Sequence, residues 1–292
     1  MAVIRVKAAV LLVAVLLAPA VPAHTQKFSS KTLAVRVDVL VTDGRNPVAG
    51  LTARDFELRD NGVVQRIDLV DAGEVPINAV LALDTSESTK GQRQADLVAA
   101  GDALIGGLKP VDRAALTTFS HAVRSRIALT SDFEAVRGAL HAMEPRGTTA
   151  VMDGAYVALA STLDQAGRFM IVICTDGSDT ASWLQTAEVV DVAKRSNAVV
   201  YAVTSAEVRR SEGLKLLAEA TGGQVMTIKS SRELRGTFER ILAEFRSRYV
   251  LAFTPEGVEP GGFHRLDISV PRRRATVKAR AGYVGADVRK QP

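Results

Sequence analysis

Between Pro76 and Phe245 the chain repeats an arrangement that few folds accommodate: short, almost unbroken apolar runs separated by segments of helical period. The runs are Asn78 to Leu83, Ala114 to Phe119, Phe169 to Thr175 and Ala198 to Thr204, with a weaker one at Gln224 to Ile228. A strand with no polar side is buried on both faces, which requires helices above and below a mainly parallel sheet. The intervening segments supply them. Leu97, Val98, Leu104, Ile105 and Leu108 share one helical face, as do Val189, Val190 and Ala193, and Ser131-Asp132 offers a cap for a helix over Phe133 to Met143. Residues 75–246 therefore read as an open, doubly wound α/β domain with a mainly parallel sheet.

Both flanks have β character. Leu33, Val35, Val37, Val39 and Val41 alternate with Ala34, Arg36, Asp38 and Leu40, a period of two that marks a half-buried strand. Asp43-Gly44 supplies a turn, and Asp60-Asn61-Gly62 between Phe56 to Arg59 and Val63 to Val70 is a strong hairpin signal. After a helix over Glu233 to Phe245, strands are expected at Tyr249 to Phe253, Leu266 to Val270 and Thr276 to Ala281. A small sheet must bury one face. The economical arrangement is a small β-sandwich-like domain built from 27–74 and 247–284, with the α/β domain inserted and 285–292 as a tail. Two separate β appendages packed on the α/β core are the alternative.

Residues 1–23 carry Arg5 and Lys7, then the apolar run Ala8 to Leu17, then small residues up to Ala23, the pattern of a signal peptide. Cleavage after Ala23 is favoured over a site after Ala20. The run is shorter than the roughly 20 residues of a membrane span, and no later stretch is apolar enough, so the mature chain is expected to be extracytoplasmic, periplasmic or secreted. The formal net charge of +5 falls to +3 without the leader, too small an excess for a nucleic-acid binder. One cysteine, Cys174, excludes an intrachain disulfide framework and a cysteine zinc cluster, and the four histidines show no ligand spacing.

The chemistry concentrates at strand ends. Val80 to Leu83 runs into Asp84-Thr85-Ser86-Glu87-Ser88, an Asp-x-Ser-x-Ser sequence. Gly147-Thr148-Thr149 stands just before a helical segment, and the Phe169 strand runs into Thr175-Asp176-Gly177. In open α/β sheets the loops at carboxyl strand ends form the binding crevice. Asp84, Ser86, Ser88, Thr149 and Asp176 together offer only hard oxygen donors, which suit Mg²⁺ or Mn²⁺ rather than zinc.

In order and context these five residues resemble the metal-ion-dependent adhesion site (MIDAS) of von Willebrand factor type A domains, a Rossmann-like fold, over roughly 75–246. The flanks are similar to a bacterial group of secreted proteins with such a domain, through Gly50 to Phe56, Asp60-Asn61-Gly62, Phe263-His264-Arg265 and Ala281-Gly282-Tyr283. The resemblance implies that Ser86, Ser88 and Thr149 offer hydroxyls to the cation, Thr149 fully only with ligand present, while Asp84 and Asp176 act largely through water. It also implies an open position filled by a Glu or Asp of a protein partner. Glu87 stands where the family commonly has Gly, and a solvated loop carboxylate is the favoured role for it. Asp153 is expected to complement a helix dipole and pin the Thr149 loop.

Other features are set aside. Trp183, the single tryptophan, is expected in the core ahead of a partner-facing rim; Cys174 in strand packing; Arg272-Arg273-Arg274 in a solvated turn. An aspartic protease would need a second Asp-Thr-Gly or Asp-Thr-Ser motif, and a serine hydrolase a Gly-x-Ser-x-Gly elbow with a paired histidine; the sequence has neither. The expectation is a secreted, non-catalytic module that captures a protein partner through a divalent cation. A structural envelope protein with a vestigial metal site is the alternative, ahead of a hydrolase.

Overall fold

The computed structural model describes residues 34–72, 75–163, 165–206 and 212–285. The expected leader over 1–23, the start of the N-terminal β segment and the tail beyond 285 lie outside the described residues. The fully buried strand β6 (Ile77–Asp84) is central, as its apolar sequence demands. Beside it run β7 (Arg113–Phe119) and β8 (Val123–Thr130) on one side, and β9 (Arg168–Thr175), β10 (Ala198–Ser205) and β11 (Gln224–Ile228) on the other, in the order β11-β10-β9-β6-β7-β8. All neighbours are parallel except β8, which is antiparallel to β7.

The sequence reading misses β8. Its residues Val-Arg-Ser-Arg-Ile lack an apolar run because an edge strand has a neighbour on one side only and is half exposed. Helices α1 (Gln92–Gly106), α2 (Phe133–His141) and α6 (Leu234–Arg246) pack on one face of the sheet through Leu97, Leu104, Val136, Leu140, Phe238 and Phe245. On the other face α3 (Val151–Ala160), α4 (Thr186–Arg195) and α5 (Glu212–Thr221) bury Ala155, Leu159, Val189 and Leu217. Asp132 caps α2, its carboxylate accepting from the Ala135 N–H at 3.0 Å.

The remaining strands are β1 (Val35–Asp43), β2 (Asn46–Pro47), β3 (Glu57–Asp60), β4 (Val63–Gln65), β5 (Ile67–Ala72), β12 (Tyr249–Phe253), β13 (Gly262–Ser269), β14 (Thr276–Lys278) and β15 (Gly282–Gly285). They form two sheets: β14-β1-β12-β5, with β2 on β1, and β15-β13-β3-β4. In the first, strands from the two ends of the chain alternate; in the second, two C-terminal strands join two N-terminal ones through the β13–β3 pair. β12 lies antiparallel between β1 and β5, and β13 pairs with β3. Val37, Val39, Leu58, Leu251, Phe253 and Leu266 share one apolar cluster. Buried Asp60 accepts from the Tyr283 hydroxyl at 2.6 Å and lies 2.9 Å from His264 Nδ1.

Two boundaries need correction. The run Val63 to Val70 is divided at Arg66 between the two sheets, and the last expected strand, Thr276 to Ala281, ends at Lys278 as β14, with β15 following as a strand that the sequence reading does not include. The hairpin turn forms as its residues dictate, with Asn61 and Gly62 at φ +47° and +85°, the left-handed pair that joins twisted strands in two residues. Arg168, at the start of β9, ties these strands to the α/β layer: it ion-pairs with Asp38 of β1 and donates to the Phe245 carbonyl at 2.6 Å.

Candidate metal centre

The sheet fixes where a site can form. From β6 the chain crosses outward to β7, whereas β9, β10 and β11 add on the opposite side of β6, so the strand order reverses between β6 and β9. The carboxyl ends of strands diverge into a crevice at such a reversal. Asp84 ends β6 there, Thr175 ends β9, and Asp176 follows it.

Three loops are held together by main-chain hydrogen bonds. The Thr85 N–H donates to the Phe119 carbonyl at the end of β7 (2.8 Å), the Arg146 N–H to the Thr85 carbonyl (2.7 Å), and the Glu87 N–H to the Gly147 carbonyl (2.9 Å). The Thr180 and Ala181 N–H groups both donate to the Thr149 carbonyl, at 2.9 and 3.0 Å. Gly147 makes the middle loop possible: its φ is +74°, and a Cβ would lie 2.2 Å from His121 Nδ1.

On this frame the five candidates meet. Asp84, 1% exposed, accepts from the Ser86 N–H at 2.8 Å and from the Thr175 hydroxyl at 2.6 Å. The Ser86 and Ser88 hydroxyls lie 3.0 Å apart, and Ser88 donates to Asp176 at 2.7 Å. A Cβ on Gly177 would lie 3.4 Å from the Thr149 hydroxyl and 3.9 Å from that of Ser88, so those two hydroxyls border the same small residue. Burial pushes the Asp84 carboxyl up to about 6 against the hydrogen bonds from Ser86 and Thr175, with Asp176 adding repulsion.

The donor set fits a hard divalent cation. An octahedral ion with oxygens at about 2.1 Å has adjacent ligand oxygens roughly 3.0 Å apart, and the Ser86–Ser88 pair stands at 3.0 Å. Among the described residues no group of three or more His, Cys, Asp or Glu is placed to hold a metal, so any cation here depends on hydroxyls.

Several contacts have no forerunner in the sequence reading. Arg93, in the first turn of α1, donates to the second Asp176 oxygen at 2.9 Å, a contact across 83 residues that leaves no local pattern. Thr175 is a direct partner of Asp84. Glu87 pairs with Lys90 and is exposed, the solvated role favoured for it. One expectation fails and another holds in part. Trp183 is 93% exposed rather than in the core: it lies in an irregular surface loop over residues 177–185 whose neighbouring Leu184, not the tryptophan, packs against the core. Asp153 lies in the first turn of α3, where it complements the helix dipole as expected, but the loop it pins is that of Trp183: it accepts from the Trp183 and Leu184 N–H groups at 3.0 and 2.9 Å, and that loop in turn bonds the Thr149 carbonyl through Thr180 and Ala181. Cys174 is buried, and burial raises its thiol pKa far above the usual range.

No curated protein matches the sequence. Among solved structures, the chain is similar to a von Willebrand factor type A protein from Catenulispora acidiphila (14% identity, TM-score 0.55, 80% of this chain and 74% of that one). It is also similar to proximal thread matrix protein 1 of the mussel byssus (15% identity, TM-score 0.53, 62% of this chain and 49% of that one), about half of whose length it spans. A further structure of that mussel protein, with a TM-score of 0.52, is described as having a zinc-occupied MIDAS motif. At these identities the likeness shows the fold. A family model for the von Willebrand factor type A domain matches residues 78–240, more than half of the sequence, and the chain belongs to that family.

Proposed function

We propose that the chain is a non-catalytic binding module that captures a protein partner through a divalent cation, Mg²⁺ or Mn²⁺, held by Ser86 and Ser88 directly, by Thr149 directly once the partner is bound, and by Asp84 and Asp176 through water. The observation that carries this reading is the continuous cluster Ser86–Ser88–Asp176, linked at 3.0 and 2.7 Å, with Asp84 and Thr149 against it. When bound, the cation supplies an electrophilic open position that suits a Glu or Asp side chain of the partner. The chain's own charges support that preference. Two carboxylates face the site, and Arg93 offsets one of them, so a divalent ion there keeps net positive charge that an incoming carboxylate compensates better than an amide.

Proton-transfer chemistry has less support. Both Asp84 oxygens accept hydrogen bonds from Ser86 and Thr175, and both Asp176 oxygens from Ser88 and Arg93, so the two carboxylates share no proton as a protease pair does. The leader-like residues 1–23 support an extracytoplasmic place of work, and the strand pairings support a single β unit made from 27–74 and 247–284. The test is calorimetric titration of Mg²⁺, Mn²⁺ and Zn²⁺ into the protein and into Asp84→Ala and Asp176→Ala, followed by affinity capture from an envelope extract in Mg²⁺ with elution by chelator. Metal affinity lost in both variants, and proteins released only by chelator, are expected. Capture unchanged in chelator would assign the protein a structural role instead.

A further inference from the structure

Beside the metal centre lies a second, polar cavity of about 200 Å³ bordered by Thr85, Thr118, Ser120, Arg124, Arg126 and Arg146. Arg124 and Arg126 both border it from the edge strand β8, Arg126 at an irregularity where the β7–β8 register shifts and leaves it unpaired in the ladder. Thr118 is the direct partner of Arg124 across the β7–β8 ladder, and Ser120 follows two residues on. Arg146 is fixed from the other side by its N–H bond to the Thr85 carbonyl at 2.7 Å.

Among the described residues none of the three guanidinium groups is in an ion pair. Arg126 makes one long bond, 3.5 Å to the Ala142 carbonyl, and the Arg124 and Arg146 side chains and the Thr118 hydroxyl make none. Glu144 is the cavity's one carboxylate, against three arginines. A space of this size holds an oxyanion with several waters, each of which occupies roughly 30 Å³. Guanidinium forks with adjacent hydroxyls are the donors that carboxylate, sulfate and phosphate groups take up.

We infer that this cavity is an anion-binding subsite, and that it takes a second acidic group of the same protein ligand whose first carboxylate enters the cation site. The second half of the inference rests on the proposed cation-dependent capture; the first half does not. The link between them is Thr85, which borders the arginine cavity and stands between Asp84 and Ser86 of the metal centre. A partner segment with two acidic side chains a few residues apart can fill both at once. Arginines also protect edge strands from pairing, but that role asks nothing of Arg146, which lies on a separate loop.

Two titrations test this. Sulfate is titrated at low ionic strength into metal-free protein, with amide chemical shifts as the readout, for the wild type, Arg124→Gln, Arg146→Gln and Asp84→Ala. Saturable binding is expected, weakened at least fivefold by either arginine variant and unchanged by Asp84→Ala. A labelled hexaglutamate peptide is then titrated in Mg²⁺: either arginine variant should bind it at least tenfold more weakly with Mg²⁺ affinity unaltered. Arg146 lies on an exposed loop, so Arg146→Gln keeps the fold if the strand variant does not. Sulfate affinity equal in the wild type and Arg146→Gln overturns the subsite. Arginine-dependent sulfate binding in a protein that takes up no Mg²⁺ would leave the subsite standing while the cation reading falls.

Discussion

Replacing Asp84 by Asn should stabilise the metal-free protein while abolishing its metal binding, an uncommon pairing for a buried site residue. Burial raises the Asp84 carboxyl from 3.8 to about 6, so above pH 6 the folded state holds a charge that the unfolded chain carries at less cost. Over that interval the penalty amounts to about 3 kcal/mol. The sign follows from proton uptake. Between pH 4 and 6 the folded state binds more protons than the unfolded state, so stability falls as pH rises and levels off above the folded midpoint. Asparagine removes the charge and still accepts from the Ser86 N–H, while Thr175 keeps its bond to the Gly177 carbonyl at 3.2 Å. Accommodating the amide N–H groups costs about 1 kcal/mol, leaving a net gain of about 2 kcal/mol at pH 7.5. For a domain of this size that is roughly 4–8 °C in melting temperature. The assay is thermal unfolding of both proteins, stripped of metal, at pH 4.5 and 7.5, beside Mg²⁺ titration at pH 7.5. A variant that melts lower than the wild type at pH 7.5, or a difference that does not shrink at pH 4.5, would refute the reasoning.

Other perturbations separate the parts of the site. Gly147→Ala places a methyl 2.2 Å from His121 at a positive φ, so a loss of about 1–3 kcal/mol in urea unfolding is expected together with at least tenfold weaker Mg²⁺ binding. Trp183→Ala should leave stability within about 0.5 kcal/mol, as for exposed sites generally, yet weaken partner capture, because its loop is bonded to the Thr149 carbonyl; unaltered capture would take that loop out of the interface. Thr149→Ala should reduce capture more than it reduces Mg²⁺ affinity in paired titrations, and an equal loss in both would make the threonine an ordinary resting ligand. Removing 247–292 takes β12 from between β1 and β5, and limited proteolysis should then cut within 34–72 while the intact chain resists.

How much of this the sequence discloses depends on whether a feature is local. Strands β6, β7, β9 and β10 are legible because burial on both faces forces an uninterrupted apolar run, and the hairpin at 60–62 because Asn61 and Gly62 adopt positive φ more readily than other residues. The five site candidates are legible for a related reason: each lies within a few residues of a strand or helix end, and the reversal of strand order brings those ends to one crevice. Strand β8 is hidden because exposure on one side lets it carry Arg124 and Arg126, and Trp183 because a lone aromatic in an irregular loop has no period to place it.

Long-range charge is the least legible feature of all, and it decides the most about the site. By count the chain has a modest basic excess, yet seven of its arginines fall into three groups with different work. Arg168, Arg248 and Arg280 are buried and spend their donors on carbonyls, side chains and Asp38, holding strands and helices together; they add little to the surface potential. Arg93 lies on Asp176 and sets how much charge a cation there would retain. Arg124, Arg126 and Arg146 converge on a cavity with one carboxylate, next to Thr85. Net charge alone therefore misjudges this surface. The balance at that cavity is more positive than the chain's formal +5 spread over 292 residues implies, because Glu144 is its single carboxylate. On the proposed reading, a partner would be selected by where its acidic groups sit relative to one another, more than by how many it has.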